Sequence, residues 1–196
     1  AIMSARLVAC PGCYPTAVLT ALLPVIKLGQ VSCDDLIIDA KSGVTGAGRS
    51  LKETNLFSEI AEGIAPYGIA HHRHAPEIEQ EIGFAAGSDN VTINFTPHLV
   101  PMNRGELVTI YAKTNGAKAD DVRASLNAFY DDKHFVRIVG AEETPATRHV
   151  RGSNYCHVGV YDDRLPNRII LVATLDNLVK GSSGQAIQNM NLMCGF

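Results

Sequence analysis

A cysteine held between prolines and a glycine, directly before an apolar segment, constrains both the local fold and the chemistry of this chain. Residues 10–17 read CPGCYPTA, and most of residues 18–26 are apolar. Pro15 suits the first turn of a helix, because the N–H groups of that turn have no partner within the helix. The pattern predicts a helix over residues 14–28 that begins next to Cys13.

The position of Cys13 indicates a reactive thiol. The N–H groups and the dipole at a helix N-terminus stabilise negative charge, so we expect the pKa of Cys13 to lie below that of free cysteine. A nucleophile is the preferred interpretation, although free cysteines are commonly buried as small apolar residues. Cys10 completes a Cys-x-x-Cys pair with Cys13, which leaves a thiol redox or zinc-binding module as the alternative. Since no second ligand pair has zinc-finger spacing, we predict no metal site.

Composition excludes several classes of partner. The chain has 196 residues, of which 46% are hydrophobic and 19% are charged, and its net charge is −3. This balance is typical of a globular protein and gives no electrostatic reason to bind nucleic acid or a membrane surface. No apolar run approaches the ~20 residues that span a bilayer. The odd number of scattered cysteines, five, favours a reducing compartment, so we expect a cytoplasmic protein, or an organellar one in a eukaryote.

Hydrophobic periodicity predicts interspersed helices and strands. Besides the helix over 14–28, one helix should begin near Pro76 and another should span 119–130. A last helix should follow Asp176, which is a good N-cap residue. The predicted strands cover residues 35–40, 91–96, 107–113, 135–139, 155–161 and 168–175. This order predicts an α+β or mixed α/β fold, with residues 97–105 as a connection too long for a tight hairpin turn.

Polar residues in two further segments are candidates for the site. Residues 41–49 (KSGVTGAGR) form a glycine-rich loop whose backbone N–H groups can cradle an anion, although the same composition suits a mobile surface loop. A cysteine nucleophile needs a base, and His72, in a histidine-rich segment before a predicted helix, is the best candidate. Arg73 and Arg104 are candidate clamps for a carboxylate or a phosphate, and surface arginines are the alternative.

Together the motifs resemble one family, the N-acetyl-gamma-glutamyl-phosphate reductases of arginine biosynthesis. They occur in the family's order and span nearly the whole chain, so they are far more specific together than any one of them alone. The matching segments are residues 11–16 (PGCYPT), 42–49 (SGVTGAGR), 72–78 (HRHAPEI), 95–101 (FTPHLVP) and 176–181 (DNLVKG).

The resemblance implies an oxidoreductase related to aspartate-semialdehyde dehydrogenase. It implies NADP-dependent reductive dephosphorylation of N-acetyl-glutamyl 5-phosphate to N-acetyl-glutamate 5-semialdehyde, through a thioester on Cys13. His72 would be the acid and base of this reaction. The residues expected to bind the substrate are Tyr67, Arg73, His74 and Arg104, and those expected to bind the cofactor are Ser42, Gly43, Gly46 and Asn177.

The resemblance also implies a domain arrangement. Residues 1–175 would be a catalytic and dimerisation domain, with a mixed, largely antiparallel sheet and helices on one face. Residues 176–196 would form a helix that packs on an N-terminal, NADP-binding Rossmann domain, which would be missing from this chain. Residues 6–9 read like the end of a buried strand, as expected if the chain was cut from a longer one. We therefore expect a homodimer or homotetramer, and no activity from the fragment alone.

Overall fold

A seven-stranded sheet forms the frame of the protein, and the computed structural model describes residues 2–196. Its strands are β1 (Leu36–Gly43), β2 (Ala65–Pro66), β3 (Ile93–Val100), β4 (Glu106–Lys113), β5 (Val136–Ile138), β6 (Cys156–Asp162) and β7 (Arg168–Leu175). Across the sheet they lie in the order β2-β3-β1-β4-β7-β6-β5. β1 pairs in parallel with β3, and β5 with β6, while the other neighbours are antiparallel. The prediction of a mixed, largely antiparallel sheet is confirmed.

Helices cover one face of this sheet. The longest, α1 (Cys13–Lys27), packs against β4, β6 and β7, and two others lie beside it. In chain order the further helices are α2 (Phe57–Ile60), α3 (Ala75–Ala86), α4 (Ala119–Tyr130), α5 (Thr147–Val150) and α6 (Gly184–Cys194). Val108 and Ile110 of β4 are buried in one apolar core with Leu22 of α1. Within residues 2–196, none of the helices combines the length and hydropathy needed to cross a membrane.

The bounds of α1 follow from the residues at its ends. Pro15 lies in its first turn, as predicted. Gly29, just beyond its last turn, adopts a left-handed φ of 67° and donates its N–H to the carbonyl of Ile26 at 2.9 Å. The helix predicted over 14–28 is therefore confirmed, with Cys13 as its first residue.

The strand β3 is longer than predicted. It runs beyond residue 96 to Val100, because it pairs with β1 along its whole length, with Pro97 opposite Ala40. Proline lacks a donor for the ladder and is tolerated near the edge of a sheet. Here the outer neighbour is the short β2, and the Pro97 carbonyl still accepts the N–H of Tyr67 at 3.0 Å. The expectation that residues 97–105 connect the two strands was therefore wrong for residues 97–100.

The segment before α1 corrects a further expectation. Residues 6–9 form no strand in the described structure, and Leu7 is 89% exposed. Nothing in residues 2–196 pairs with this segment as a strand. A buried strand there was therefore wrong, because an apolar stretch becomes a strand only where a partner completes its hydrogen bonds.

The last helical segment begins where its cap predicts, but in a different form. The Asp176 carboxylate accepts the N–H groups of Leu178 and Val179, at 2.9 and 3.1 Å. A π-helix (Val179–Ser183) follows, and α6 continues from it. Such wide turns are rare in proteins, and those that occur are often found near functional sites. This one lies against the N-terminus of α1.

Candidate active site

A cavity of about 1210 Å³ opens at the N-terminal end of α1. Its walls come from the turn before α1, the 3₁₀-helix after β1 (Val44–Ala47), the loop before α3, and the π-helix. Gly43 and Arg104 are outside its lining. The other predicted site residues all line it: Cys13, Ser42, Gly46, Tyr67, His72, Arg73, His74 and Asn177.

The turn that carries Cys13 is held from both sides. Gly12, the N-cap of α1, donates its N–H to the Glu77 carboxylate of α3 at 3.1 Å. A β-carbon on Gly12 would lie 2.4 Å from Nε2 of His74, so glycine lets the imidazole pack against the turn. On the other side, a β-carbon on Gly181 of the π-helix would lie 2.6 Å from Cβ of Cys13. Close packing therefore fixes the backbone and Cβ of the turn that carries the sulfur.

The Cys13 thiol is harder to ionise than its position predicts. Burial raises its pKa well above the ordinary value, and the carboxyl group of Glu106, which faces the thiol, raises it further. The N–H groups of Tyr14 and Cys13 lower the pKa, as expected at a helix N-terminus, but they are outweighed. The expectation of a lowered pKa was therefore wrong, because the tertiary structure brings a carboxyl group to the sulfur.

Glu106 is a residue that sequence reasoning missed. It is the first residue of β4, it is fully buried, and neither carboxyl oxygen has a hydrogen-bond partner within residues 2–196. Burial raises its pKa to about 8, and the interaction with the Cys13 thiol acts in the opposite direction. A signal was present, since Glu106 shares the inward register of its strand with Val108 and Ile110. A carboxyl group in such a position is a candidate functional group.

The imidazole rings of His72 and His74 stand beside the cysteine turn. Their centroids are 4.9 Å apart, and each meets the ring of Tyr14 edge-on, at 5.8 and 6.0 Å. Nδ1 of His72 accepts the backbone N–H of His74 at 3.2 Å, which assigns the proton of the neutral ring to Nε2. Burial, together with the charge of Arg73, lowers the pKa of His72, and burial lowers that of His74 to about 4. Both rings are therefore neutral near pH 7 and able to transfer protons.

The remaining residues predicted to bind the substrate differ in their surroundings. Tyr67 lines the cavity, and its hydroxyl group donates a hydrogen bond to the hydroxyl oxygen of Tyr14 at 3.1 Å. Arg73 is exposed at the cavity wall. Arg104 instead forms an ion pair with the buried Asp176 carboxylate, at 3.6 Å. The substrate contact of Arg104 stays a prediction, and its ion pair ties the segment before β4 to the turn before the π-helix.

Most residues predicted to bind the cofactor form a cradle at one end of the cavity. Asn177 accepts the N–H of Gly105 at 2.8 Å and donates to the hydroxyl of Thr45 at 2.9 Å. A β-carbon on Gly46 would lie 2.5 Å from Oγ of Ser42, so a side chain there would fill the cradle. The surface that results combines glycine backbone with uncharged hydrogen-bonding groups.

Gly43 supports the backbone behind this cradle. A β-carbon on Gly43 would lie 2.7 Å from the carbonyl oxygen of Met102. Its N–H donates to the carbonyl of Gly105 at 2.9 Å, which joins the end of β1 to the segment before β4. Its direct contact with a cofactor stays a prediction.

The cysteines are all free thiols. Cys10 is exposed, and its sulfur accepts the side-chain amide of Asn189 at 3.4 Å. In residues 2–196, no group of three or more His, Cys, Asp or Glu side chains is placed to hold a metal ion. The zinc alternative for Cys10 and Cys13 therefore has no ligand cluster in the described structure to support it.

Comparison with known proteins finds a matching family model and relatives that are similar over the whole chain. The family model for semialdehyde dehydrogenase, dimerisation domain, matches residues 13–177. A protein of Arabidopsis thaliana named probable N-acetyl-gamma-glutamyl-phosphate reductase, chloroplastic, is 52% identical over 196 residues, which are 100% of this chain and 49% of that protein. An N-acetyl-gamma-glutamyl-phosphate reductase of Rhodospirillum rubrum is 54% identical over 197 residues, 100% of this chain and 56% of that protein. The chain spans about half the length of the curated relatives it matches.

A solved structure shares the fold. Aspartate semialdehyde dehydrogenase II from Vibrio cholerae superposes with a TM-score of 0.75 over 96% of this chain and 62% of that chain, at 19% sequence identity. The predicted fold class, that of a semialdehyde-dehydrogenase-like domain, is confirmed by this likeness. Because the family model covers most of its length, this chain belongs to the semialdehyde dehydrogenase dimerisation-domain family.

Proposed function

We propose that this chain is the catalytic domain of an NADP-dependent oxidoreductase that converts N-acetyl-glutamyl 5-phosphate to N-acetyl-glutamate 5-semialdehyde. The observation that carries the proposal is the position of Cys13, which begins α1, faces Glu106 and lines one cavity with His72. The 52% and 54% identity to proteins named for this activity supports the choice of substrate.

The covalent step is a nucleophilic substitution at an acyl phosphate. The Cys13 sulfur attacks the acyl carbon and a C–S bond forms. The C–O bond to phosphate breaks, and its electron pair leaves with the phosphate. Arg73, exposed at the cavity wall, attracts the anionic groups of the substrate. The step leaves a thioester on Cys13.

The cradle around Asn177 fits the nicotinamide end of NADP, because it offers space over glycine and uncharged hydrogen-bonding groups. Ser42, Gly46 and Asn177 would hold that end. When bound, NADPH supplies the hydride that reduces the thioester carbonyl. His72 donates its Nε2 proton to the carbonyl oxygen as that oxygen gains charge, and it takes the proton back when the C–S bond breaks.

The experiment that tests this proposal is the reverse reaction. The full-length protein that contains this chain should reduce NADP with N-acetyl-glutamate 5-semialdehyde, and only when phosphate is present, since phosphate must cleave the thioester. We expect the 196-residue chain, assayed beside it, to be inactive. A folded full-length protein that reduces no NADP, or that does so equally well without phosphate, would contradict the proposal.

Asn177→Ala should weaken NADP binding. The variant removes the donor to Thr45 and leaves the buried N–H of Gly105 without its acceptor. An unpaired buried N–H costs about 1–3 kcal/mol, so we expect a lower free energy of unfolding and a Michaelis constant for NADP that is about tenfold higher. Urea unfolding and steady-state kinetics measure the two effects. Asn115→Ala is the control, because that amide bonds Gly29 on the surface, away from the cavity, and should leave the Michaelis constant unchanged.

Two surfaces remain for partners. The family match, to a dimerisation domain, supports an assembly of two or more copies, and we infer that the sheet face opposite the helices, with half-buried Leu107, Tyr111 and Ile170, forms the contact. A molar mass of one chain in sedimentation would contradict this.

The exposed apolar residues Ile187 and Met190 of α6 fit the predicted packing of residues 176–196 on an NADP-binding domain. Protection of α6 from hydrogen exchange only when that domain is present would support it.

A further inference from the structure

We propose that Glu106 is the base that accepts the proton of the Cys13 thiol when the sulfur becomes a nucleophile. The inference deepens the proposed function, because it names the group that prepares Cys13 for attack. It rests on that function only for the identity of the substrate, since the proton transfer involves two side chains of this chain.

The first support is the burial of Glu106 beside the reacting atom. Its side chain is inaccessible to solvent at the start of β4, and neither of its oxygens has a hydrogen-bond partner in residues 2–196. The Cys13 thiol is the side chain that interacts with it. An ordinary structural carboxylate would be paired, because leaving such a group unpaired is costly. Its position is explained if it exchanges a proton with the sulfur.

The second support is the set of charges around Glu106. The titratable groups that feel its charge are Cys13 and Tyr14 on α1, Tyr67 before α3, and Cys156 on β6. All are neutral acids near pH 7, and burial raises the pKa of each of them. The buried Lys180 acts on Cys156 and is not among the groups that shift the pKa of Glu106. Among these titratable groups, the Cys13 thiol is therefore the one that shifts the pKa of Glu106.

The third support is the separation of roles across the cavity. His72 and His74 pack against Tyr14 and Tyr67, whereas Glu106 reaches Cys13 from the sheet. Burial also raises the pKa of Glu106 to about 8, so its carboxylate is a stronger base than an exposed one, although burial raises the pKa of the Cys13 thiol as well. One group can thus serve the sulfur while a histidine serves the substrate oxygen.

The step is a simple proton transfer. The S–H bond of Cys13 breaks and its electron pair stays on sulfur, while the proton forms an O–H bond with the Glu106 carboxylate. The pair keeps a single negative charge throughout, so burial penalises the two arrangements similarly. When the aldehyde product leaves, the thiolate takes the proton back from Glu106. No oxidant, reductant or further reactant is needed.

The test follows alkylation of Cys13 by iodoacetamide from about pH 6 to 10 in the full-length protein, resolved by peptide mass spectrometry. A pair that shares one proton reacts at a rate that rises and then levels off near the pKa of Glu106, about 8. Glu106→Gln keeps the shape of the side chain but removes the acceptor. We expect its alkylation at pH 8 to be about tenfold slower or more, rising through the whole range without levelling.

Two controls accompany this test. Thr174→Val alters another buried residue whose hydroxyl is unpartnered within residues 2–196, on the adjacent β7, and should keep the wild-type profile. Cys10, which is exposed, should react alike in all variants and serves as an internal reference. Faster alkylation of Cys13 in Glu106→Gln at every pH would overturn the proposal, because Glu106 would then only repel the thiolate.

The wild-type profile decides the matter if Glu106→Gln fails to fold. A rate that levels off supports the shared proton, and a rate that rises continuously overturns it. Neither substrate nor NADP enters this measurement. A levelling profile in a protein without reductase activity would therefore reject the proposed function and leave the role of Glu106 standing.

Discussion

Replacing Cys13 with serine is expected to lower the rate of NADP reduction by about 10⁴-fold or more and to abolish the acyl-enzyme. A serine hydroxyl ionises far less readily than a thiol, and beside the buried Glu106 its anion would be disfavoured further. The change is close to isosteric, so the packing against Gly181 and the hydrogen bond from Gly12 to Glu77 should persist. Rapid quenching followed by mass spectrometry shows whether acyl groups accumulate on the protein.

Cys10→Ser is the matched control for this variant. Cys10 is exposed, and within residues 2–196 the side chain makes one hydrogen bond, with the amide of Asn189. The reductase activity should therefore stay within about twofold of wild type. The two variants together separate acyl transfer from the Cys-x-x-Cys alternative, which needs both thiols. Equal loss of activity in Cys10→Ser and Cys13→Ser would support a redox or metal pair and contradict the thioester mechanism.

Gly181→Ala should damage the site without touching a reactive group. The added methyl group would lie 2.6 Å from Cβ of Cys13 and 3.2 Å from its Cα, and these atoms belong to the first turn of α1. Either the π-helix or the cysteine turn must shift, and overpacking of this kind costs about 1–3 kcal/mol. A displacement of the nucleophile by about 1 Å lowers the rate of acylation by about 100-fold. The free energy of unfolding and the rate of acyl-enzyme formation measure both effects.

The control for Gly181→Ala is Gly63→Ala. A β-carbon there meets only the carbonyl oxygen of Ala61, at 3.9 Å, and the backbone does not need a left-handed φ. We expect stability and acylation to change little, although Gly63 also lines the cavity. An acylation rate in Gly181→Ala equal to that of Gly63→Ala would show that the contact with Cys13 does not hold the sulfur in place.

Local patterns predicted most of the helices and strands. The predicted helix over 119–130 and strand over 168–175 are α4 (Ala119–Tyr130) and β7 (Arg168–Leu175), because alternation and helical periodicity report which side of an element is buried. The same reasoning failed for β3, because Pro97 has no backbone N–H and therefore predicted the end of the strand. Pairing with β1 overrides that preference, and such pairing is set by residues far away in the chain.

The candidate site shows the same division. Motifs predicted Cys13, His72 and Asn177, and the fold brings all of them to one cavity. The pKa of Cys13 was predicted in the wrong direction, because helix position is a local property, whereas Glu106 lies 93 residues further along the chain than Cys13. Its effect depends on packing that no local pattern contains.

Sequence was therefore sufficient to predict Cys13, His72 and Asn177 as candidate site residues and to predict most of the elements in order, because both depend on residue type and near neighbours. The tertiary structure decided which carboxyl group lies beside the Cys13 thiol and which glycines leave no room for a side chain. Burial removes water from around Glu106 and from part of Cys13, and the energy of a charge in that space depends on every atom packed around it. That packing brings β4, α1 and the π-helix to one point, and it exists only in the folded chain.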